Sequence, residues 1–259
     1  MELIAQQVLG VPLARTDYAG AVAWVLEAAQ QPAVTAVEAA NTHVVTLARH
    51  DARFGAAMRR FDVLLPDGMP LVWCINRRLA GGERLRDRVY GPTFMLRCLA
   101  ATTDGQAGHF LLGGSQELLS ALRLSLERRF PGVRILGEYA PPFGEWGAEE
   151  NQRIFDKIAV SGARLIWVGL GCPKQEYWIS DNKERLPSGV YFGIGAAFAF
   201  HAGLVRQAPA WMQNAGLEWL YRICAEPRRL LKRYLVYNSL FLFYLLLGRH
   251  EDSEGKIGE

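Results

Sequence analysis

The chain has 259 residues, of which 50% are hydrophobic and 21% charged, and its formal net charge is +3. At roughly 150 residues per domain this is one large domain or two small ones, and the composition excludes a disulfide-stapled miniprotein, a low-complexity chain and a wholly disordered one. The charge is uneven: residues 222–233 hold Arg222, Arg228, Arg229, Lys232 and Arg233 against Glu226, a net +4 that leaves −1 for the rest, so no general nucleic-acid surface is expected.

The first residues place no basic region ahead of an apolar run, so no signal peptide is read and the body of the protein is expected in the cytosol. Residues 21–29 are alanine-rich and predict a helix, 34–37 a strand, and Asn41 opens a helix reaching His50. The run Phe61 to Leu65 predicts a strand ending in Pro66-Asp67-Gly68. His109–Leu112 is a short apolar run ending in Gly113-Gly114-Ser115. The helix after it carries Leu118, Leu119, Leu122, Leu126 and Phe130 on one face and Arg123, Glu127 and Arg128 off it. A strand over 133–136, a Pro/Gly-rich loop over 140–147 and a helix over 148–160 follow. Next come the strand Leu165–Val168 and the turn Gly169-Leu170-Gly171-Cys172-Pro173. A helix with Glu176, Lys183 and Glu184 leads to a strand over 190–192 and then Gly193-Ile194-Gly195. Strands alternating with helices predict a doubly wound, Rossmann-like α/β domain with a mostly parallel sheet, over residues 1–210. Cys74, Cys98, Cys172 and Cys224 are far apart with no C-x-x-C pair, and read as reduced thiols; a metal site is not expected.

Residues 211–259 read as a separate helical appendage, basic as far as Arg233 and then almost wholly apolar from Tyr234 to Leu247. Fourteen helical residues span about 21 Å, short of the roughly 30 Å hydrocarbon core of a bilayer, and Asn238-Ser239 interrupts the run. One reading is a core helix or a contact in a homo-oligomer. The other is a monotopic anchor, with Arg228, Lys232 and Arg233 at anionic headgroups, Leu240, Phe241 and Phe243 in the acyl boundary and Tyr234, Tyr237 and Tyr244 at the interface. The adjacent cations favour the membrane.

In open α/β sheets ligands bind beyond the carboxyl ends of the strands, where helix N-termini offer N–H groups to anions. The glycine turns at 68, 113–114, 169–171 and 193–195 together suggest a nucleotide or phosphate ligand. Gly169-Leu170-Gly171 lacks the third glycine of a dinucleotide fingerprint, since position 174 is Lys, and no phosphate-binding G-x-x-x-x-G-K-[ST] loop occurs. Asp67, after Pro66 at a strand end, is placed to act as a base over a ligand, or only to cap the next helix. His43 and His201 are competing bases. The segment Pro173-Lys174-Gln175-Glu176 opens a helix with groups able to hold a sugar or phosphate. No D-x-D is present, so an enzyme expelling a nucleoside diphosphate would neutralise it with arginines and backbone dipoles. Arg88, Arg222 and Arg229 are the candidates, and two of them lie in the basic tail.

These residues resemble the WecG/TagA/CpsF glycosyltransferases, glycosyltransferase family 26. The likeness runs in order over about residues 3–235 and rests on Asn41, Leu65-Pro66-Asp67-Gly68, Arg88-Val89-Tyr90-Gly91, Leu112-Gly113-Gly114, the run from Val168 to Glu176, the run from Gly193 to Phe198, and Ala208 to Gln213. Two C-terminal motifs, Gly216 to Arg222 and Glu226-Pro227-Arg228-Arg229, are the most specific. The resemblance implies an inverting, metal-independent transfer of a sugar from a UDP-sugar to an undecaprenyl-diphosphate-linked saccharide. It implies work at the cytoplasmic face of the bacterial inner membrane, in making teichoic acid, capsule or exopolysaccharide, with no cofactor. It makes Asp67 the base and Arg222 and Arg229 the groups that close over the diphosphate. Asn41, Arg88 and Gln175 match the family's site positions; with Gly113, Gly114, Gly169, Gly171 and Gly195 from the glycine turns and Lys174 from the helix opening, they are the expected substrate-binding residues. Where the family often has Thr and Asp, this chain has Ala39 and Ala199, and an arginine common in the tail is Lys232. The donor sugar is therefore left open between glucose and N-acetylmannosamine or its uronic acid. Ala199 also admits a catalytically weak peripheral membrane protein that binds nucleotide-sugar or lipid-linked saccharide.

Overall fold

The computed structural model describes residues 2–247 and the backbone of residues 254–256. The chain opens with a hairpin, β1 (Ile4–Val8) and β2 (Val11–Ala14), whose two-residue turn places Leu9 and Gly10 both at positive φ. That geometry matches the natural twist of paired strands. Then follow α1 (Tyr18–Ala28), β3 (Val34–Ala40), α2 (Thr42–His50), α3 (Ala52–Met58), β4 (Val63–Pro66), α4 (Met69–Asn76), α5 (Gly91–Ala100) and β5 (His109–Leu112). The second half runs α6 (Gln116–Arg129), β6 (Ile135–Tyr139), α7 (Ala148–Ser161), β7 (Leu165–Val168), α8 (Lys174–Asn182), β8 (Gly189–Gly193) and α9 (Ala197–His201). Three helices close the chain, α10 (Ala210–Asn214), α11 (Glu218–Ala225) and α12 (Pro227–Leu247), and a short β9 (Glu254–Lys256) pairs with β1.

Six strands form one sheet in the order β4-β3-β8-β7-β5-β6, and every pairing in it is parallel. Successive residues of a strand point to opposite faces, so a sheet covered on both sides needs apolar residues at every position. Leu165 and Trp167 enter one core with Val37, Val190 and Phe192, against α1, α5, α6 and α9. Ile166 and Val168 enter the other with Ala36, Ala40 and Tyr191, against α2, α3, α7 and α8. The continuous apolar runs that predicted β5 and β7 are this double burial. The helices start where capping side chains stand: Asp17, Asn41, Asp51 and Ser115 each accept a backbone N–H of the helix that follows. All strands of the sheet point their carboxyl ends the same way, which gathers the turns after β3, β4, β7 and β8 at one edge.

The tail is longer and better seated than its sequence predicts. Residues 234–247 belong to a continuous 21-residue helix that runs on through the polar pair Asn238-Ser239. Its segment Leu230–Leu247 is by length and composition long and apolar enough to cross a membrane, with mean hydropathy 1.3. One side of α12 lies on α2: the His43 and Tyr237 rings meet edge-on at 4.3 Å, and His50 Nδ1 is 2.9 Å from the Tyr244 hydroxyl. Leu230 and Phe241 are buried, Phe241 in the core cluster that also holds α2 residues, whereas Leu235, Val236, Leu242, Phe243, Leu246 and Leu247 stand exposed. Phe241, expected in a lipid boundary, is 4% exposed and belongs to the protein core; Phe243 is 52% exposed.

Candidate active site

One crevice of about 580 Å³ lies beyond the carboxyl ends of β3, β4, β7 and β8 and is roofed by α11 and the first turns of α12. Asn41, Asp67, Arg88, Gly169, Gly171, Gln175, Gly195 and Arg222 all line it. Residues far apart in sequence and tied to one function by resemblance therefore converge.

Asp67 sits where β4 ends. Its backbone N–H bonds the Ala40 carbonyl at 2.9 Å, extending the strand pairing by one residue, and its Oδ1 accepts the Gly91 N–H at 2.9 Å. Burial pushes its pKa up from 3.8 to about 7; Arg88 opposes that rise, Glu218 adds to it, and the Gly91 N–H and Arg222 oppose it. A carboxyl poised there is half ionised at neutral pH and suits proton abstraction. Asp67 does not cap α4, since the residue before that helix is Gly68 and no side chain caps it; its bond to the Gly91 N–H instead satisfies the first residue of α5.

Arg88 joins the core to the tail. Its Nη1 reaches the Asp67 carbonyl at 3.3 Å, while Nη2 bonds Gln213 Oε1 at 3.0 Å and Glu218 Oε2 at 2.9 Å. The guanidinium stacks 4.1 Å from the Tyr90 ring centroid, and the Tyr90 hydroxyl donates to Glu218 Oε1 at 2.8 Å. Across the crevice Arg222 faces the Tyr234 hydroxyl and the Phe200 ring, and its Nε is buried without a hydrogen-bond partner. A buried orphan donor is costly and marks a place where an acceptor belongs. Arg233, expected at headgroups, is half-buried and lines the crevice, where its charge acts on His43, Cys172 and Tyr234. The side chain of Arg229 lies outside the described residues.

Gln175 explains two of the glycine turns. Its Oε1 accepts the N–H of both Gly171 and Gly195 at 3.1 Å, and its Nε2 donates to Glu176 Oε1 at 3.0 Å. Those two N–H groups, expected to meet a phosphate, are thus taken by the protein. Glu176 faces Glu38, which is wholly buried inside β3. Glu38 lies so close to β8 that a Cβ at Gly193 would fall 2.0 Å from its Oε2.

Three predicted positions are not brought to the crevice lining. Gly113 packs on the Gly169 backbone, 2.7 Å from where its Cβ would be, and Gly114 turns at positive φ against Leu118. Packing accounts for both. Lys174 lies 3.6 Å over the Trp146 ring and donates to the Gly144 carbonyl, which anchors the 140–147 loop. Neither histidine offers a base at the crevice: burial draws His43 down to about 3, and His201, drawn down to about 4, meets the Pro92 carbonyl at 2.9 Å. Among the described residues no group of three or more His, Cys, Asp or Glu is arranged to hold a metal ion.

Glu38, Tyr90, Glu218 and Arg233 are the site residues that sequence reasoning did not single out for it. The signal for Glu38 was present, because a carboxylate amid Val34-Thr35-Ala36-Val37 and Ala39-Ala40 violates the pattern of a doubly buried strand. The model of the family described as "Glycosyl transferase WecG/TagA/CpsF family" matches residues 6–254.

Proposed function

Since the chain belongs to the WecG/TagA/CpsF family of glycosyltransferases, whose members serve surface-polysaccharide biosynthesis, we propose that it moves a hexose-type sugar from UDP to a polyprenyl-diphosphate-linked saccharide. The anomeric carbon is inverted. The observation that carries this reading is the pairing, in one crevice, of a carboxyl poised near pH 7 with an arginine whose buried Nε has no acceptor.

The acceptor hydroxyl oxygen attacks the anomeric carbon and forms the new glycosidic bond. The bond from that carbon to the β-phosphate oxygen breaks, and UDP leaves with the electron pair. Asp67 takes the hydroxyl proton. Arg222 and Arg233, joined by Arg229, meet the charge that develops on the leaving diphosphate, a role a divalent ion fills in enzymes with a D-x-D pair. Asn41 is spent on its helix, since its Oδ1 accepts the N–H of His43 and Val44, so its amide NH2 is the group left to meet a sugar hydroxyl.

Residues 1–210 act as the catalytic core and 211–259 as lid and membrane anchor. The acceptor's lipid keeps its diphosphate at headgroup level, so the crevice must come to that plane. Arg228 and Lys232 are exposed near the crevice, and the outer side of α12, with Phe243 and the edge of Leu240, supplies apolar contact. Each cation close to an anionic leaflet contributes about 1 kcal/mol. On this reading the protein works at the cytoplasmic face of the inner membrane.

The test is UDP release from a panel of UDP-sugars, UDP-glucose and UDP-N-acetylmannosamine included, with a synthetic polyprenyl-diphosphate saccharide as acceptor. Release that depends on both substrates supports the reading. Folded protein that binds acceptor vesicles yet releases no UDP from any donor overturns it in favour of a peripheral binding protein.

A further inference from the structure

Two carboxyl groups at the crevice floor have no part in the chemistry above. Glu38 projects from β3 and Glu176 from the first turn of α8, at 2% and 0% exposure. They stand close enough for each to act on the other's ionisation, and the Oε2 of each is buried without a hydrogen-bond partner. Two ionised carboxylates in such contact would repel across a medium of low dielectric, so one proton must lie between them. The surroundings decide which residue carries it. Glu176 receives the Gln175 amide and the Cys172 thiol and stands at a helix N-terminus, all of which favour an anion. Glu38 has no such donor, and burial, the Glu176 charge and the Asp67 charge all push its pKa well above the usual carboxylate range. Glu38 is the acid and Glu176 its anionic acceptor.

What this pair holds is Gln175. A carboxamide can turn end for end, and the Glu176 oxygen fixes it with Nε2 inward and Oε1 outward. In that orientation Oε1 clips the N–H of Gly171, after β7, to the N–H of Gly195, after β8. Both turns line the crevice. We propose that Glu38 and Glu176, sharing one proton, are positioning residues that lock the Gln175 carboxamide and so hold the β7 and β8 turns in register around the donor nucleotide-sugar. The part naming the donor rests on the glycosyltransferase reading; the shared proton and the clip do not.

Three measurements on the full chain test this. The infrared spectrum at pH 8 should show a protonated-carboxyl C=O band that Glu38→Gln removes and Asp67→Asn leaves in place. Amide exchange at Gly171 and Gly195, followed by NMR, should accelerate at least tenfold in Glu38→Leu, whose Glu176 anion has lost its donor. It should remain within about twofold of wild type in Glu38→Gln, whose amide NH2 donates as the acid did. UDP affinity by calorimetry should follow the same order, tenfold weaker for Glu38→Leu and restored in Glu38→Gln. If the band survives Glu38→Gln, or if both glycine amides stay protected in Glu38→Leu, the positioning pair is overturned. Glu38→Gln is isosteric and keeps the test readable even where Glu38→Leu fails to fold. A wild-type protein that shows the band and the protected amides but binds no UDP overturns only the donor reading.

Discussion

Glu218 Oε2 lies 2.9 Å from Arg88 Nη2, so a carboxylate from the C-terminal helices closes on the guanidinium nearest Asp67. The contact links the position of α11 to the ionisation of Asp67. Glu218 raises the Asp67 pKa and Arg88 lowers it. Glu218→Gln keeps the shape and removes the like charge, so Asp67 ionises more readily. The midpoint at which kcat/KM rises with pH should then move down by about one unit. A pH-rate profile that stays put, or moves up, contradicts the coupling.

Asp67→Asn should lower kcat by about 10²–10⁴-fold, the usual worth of a general base, while UDP binding changes little. Turnover within threefold of wild type would remove Asp67 from the role.

The same substitution should alter stability in the opposite sense. The folded-state pKa of about 7 stands above the ordinary 3.8. Between those values the unfolded chain has released a proton that the folded protein keeps, so wild-type stability falls as pH rises through the window and stays low above it. Asparagine has no charge to bury. The variant should show a flatter profile and, at pH 8, be more stable by on the order of 1–3 kcal/mol. Urea melts at pH 5 and pH 8 measure the difference, and equal slopes for both proteins would mean that Asp67 titrates normally.

Under the proposed reading, in which arginines meet the leaving diphosphate of a chain with no D-x-D, excess EDTA should leave turnover unchanged. Activity lost to EDTA and regained with Mn²⁺ or Mg²⁺ would transfer that role to a metal.

The two sides of α12 should separate in vesicle sedimentation. Leu242→Gln with Phe243→Gln should weaken binding to anionic vesicles several-fold and leave the melting temperature alone, because both residues are exposed. Phe241→Ala should do the reverse, since emptying a buried aromatic site costs about 3–5 kcal/mol. Binding of the wild type should fall as salt rises, the cationic contribution being screened. If Phe241→Ala and the outer pair behave alike, the helix has no distinct lipid side.

Much of the central fold is readable from residues because double burial leaves its mark: β5 and β7 are unbroken apolar runs with glycine turns behind them. The β1–β2 hairpin escapes such a reading because Gln6 and Gln7 break the apolar pattern and its turn, Leu9-Gly10, lacks the usual Asn-Gly. Both α4 and α5 carry a proline as their second residue, Pro70 and Pro92, which suits a helix when it falls in the first turn and otherwise reads as a break. Within the site, Asp67, Arg88 and Arg222 are visible as motif residues. Arg233 is not, because only the rotation of α12 on α2 decides whether it or Lys232 faces the crevice. The glycine turns mislead for a different reason: their N–H groups look open to a ligand from the sequence, and Gln175 uses two of them.

The near-contact between position 193 and the Glu38 carboxyl reaches beyond this molecule. With only 2.0 Å between a built Cβ and Oε2, a side chain at 193 and a glutamate at 38 cannot occupy this arrangement together. Across relatives the two positions should therefore vary together, a side chain at the β8 position going with a shorter residue or a redirected acid on β3. Replacing Gly193 alone forces the Glu38 carboxyl out of its present position, whereas replacing Glu38 with a smaller residue first leaves room for a side chain at 193.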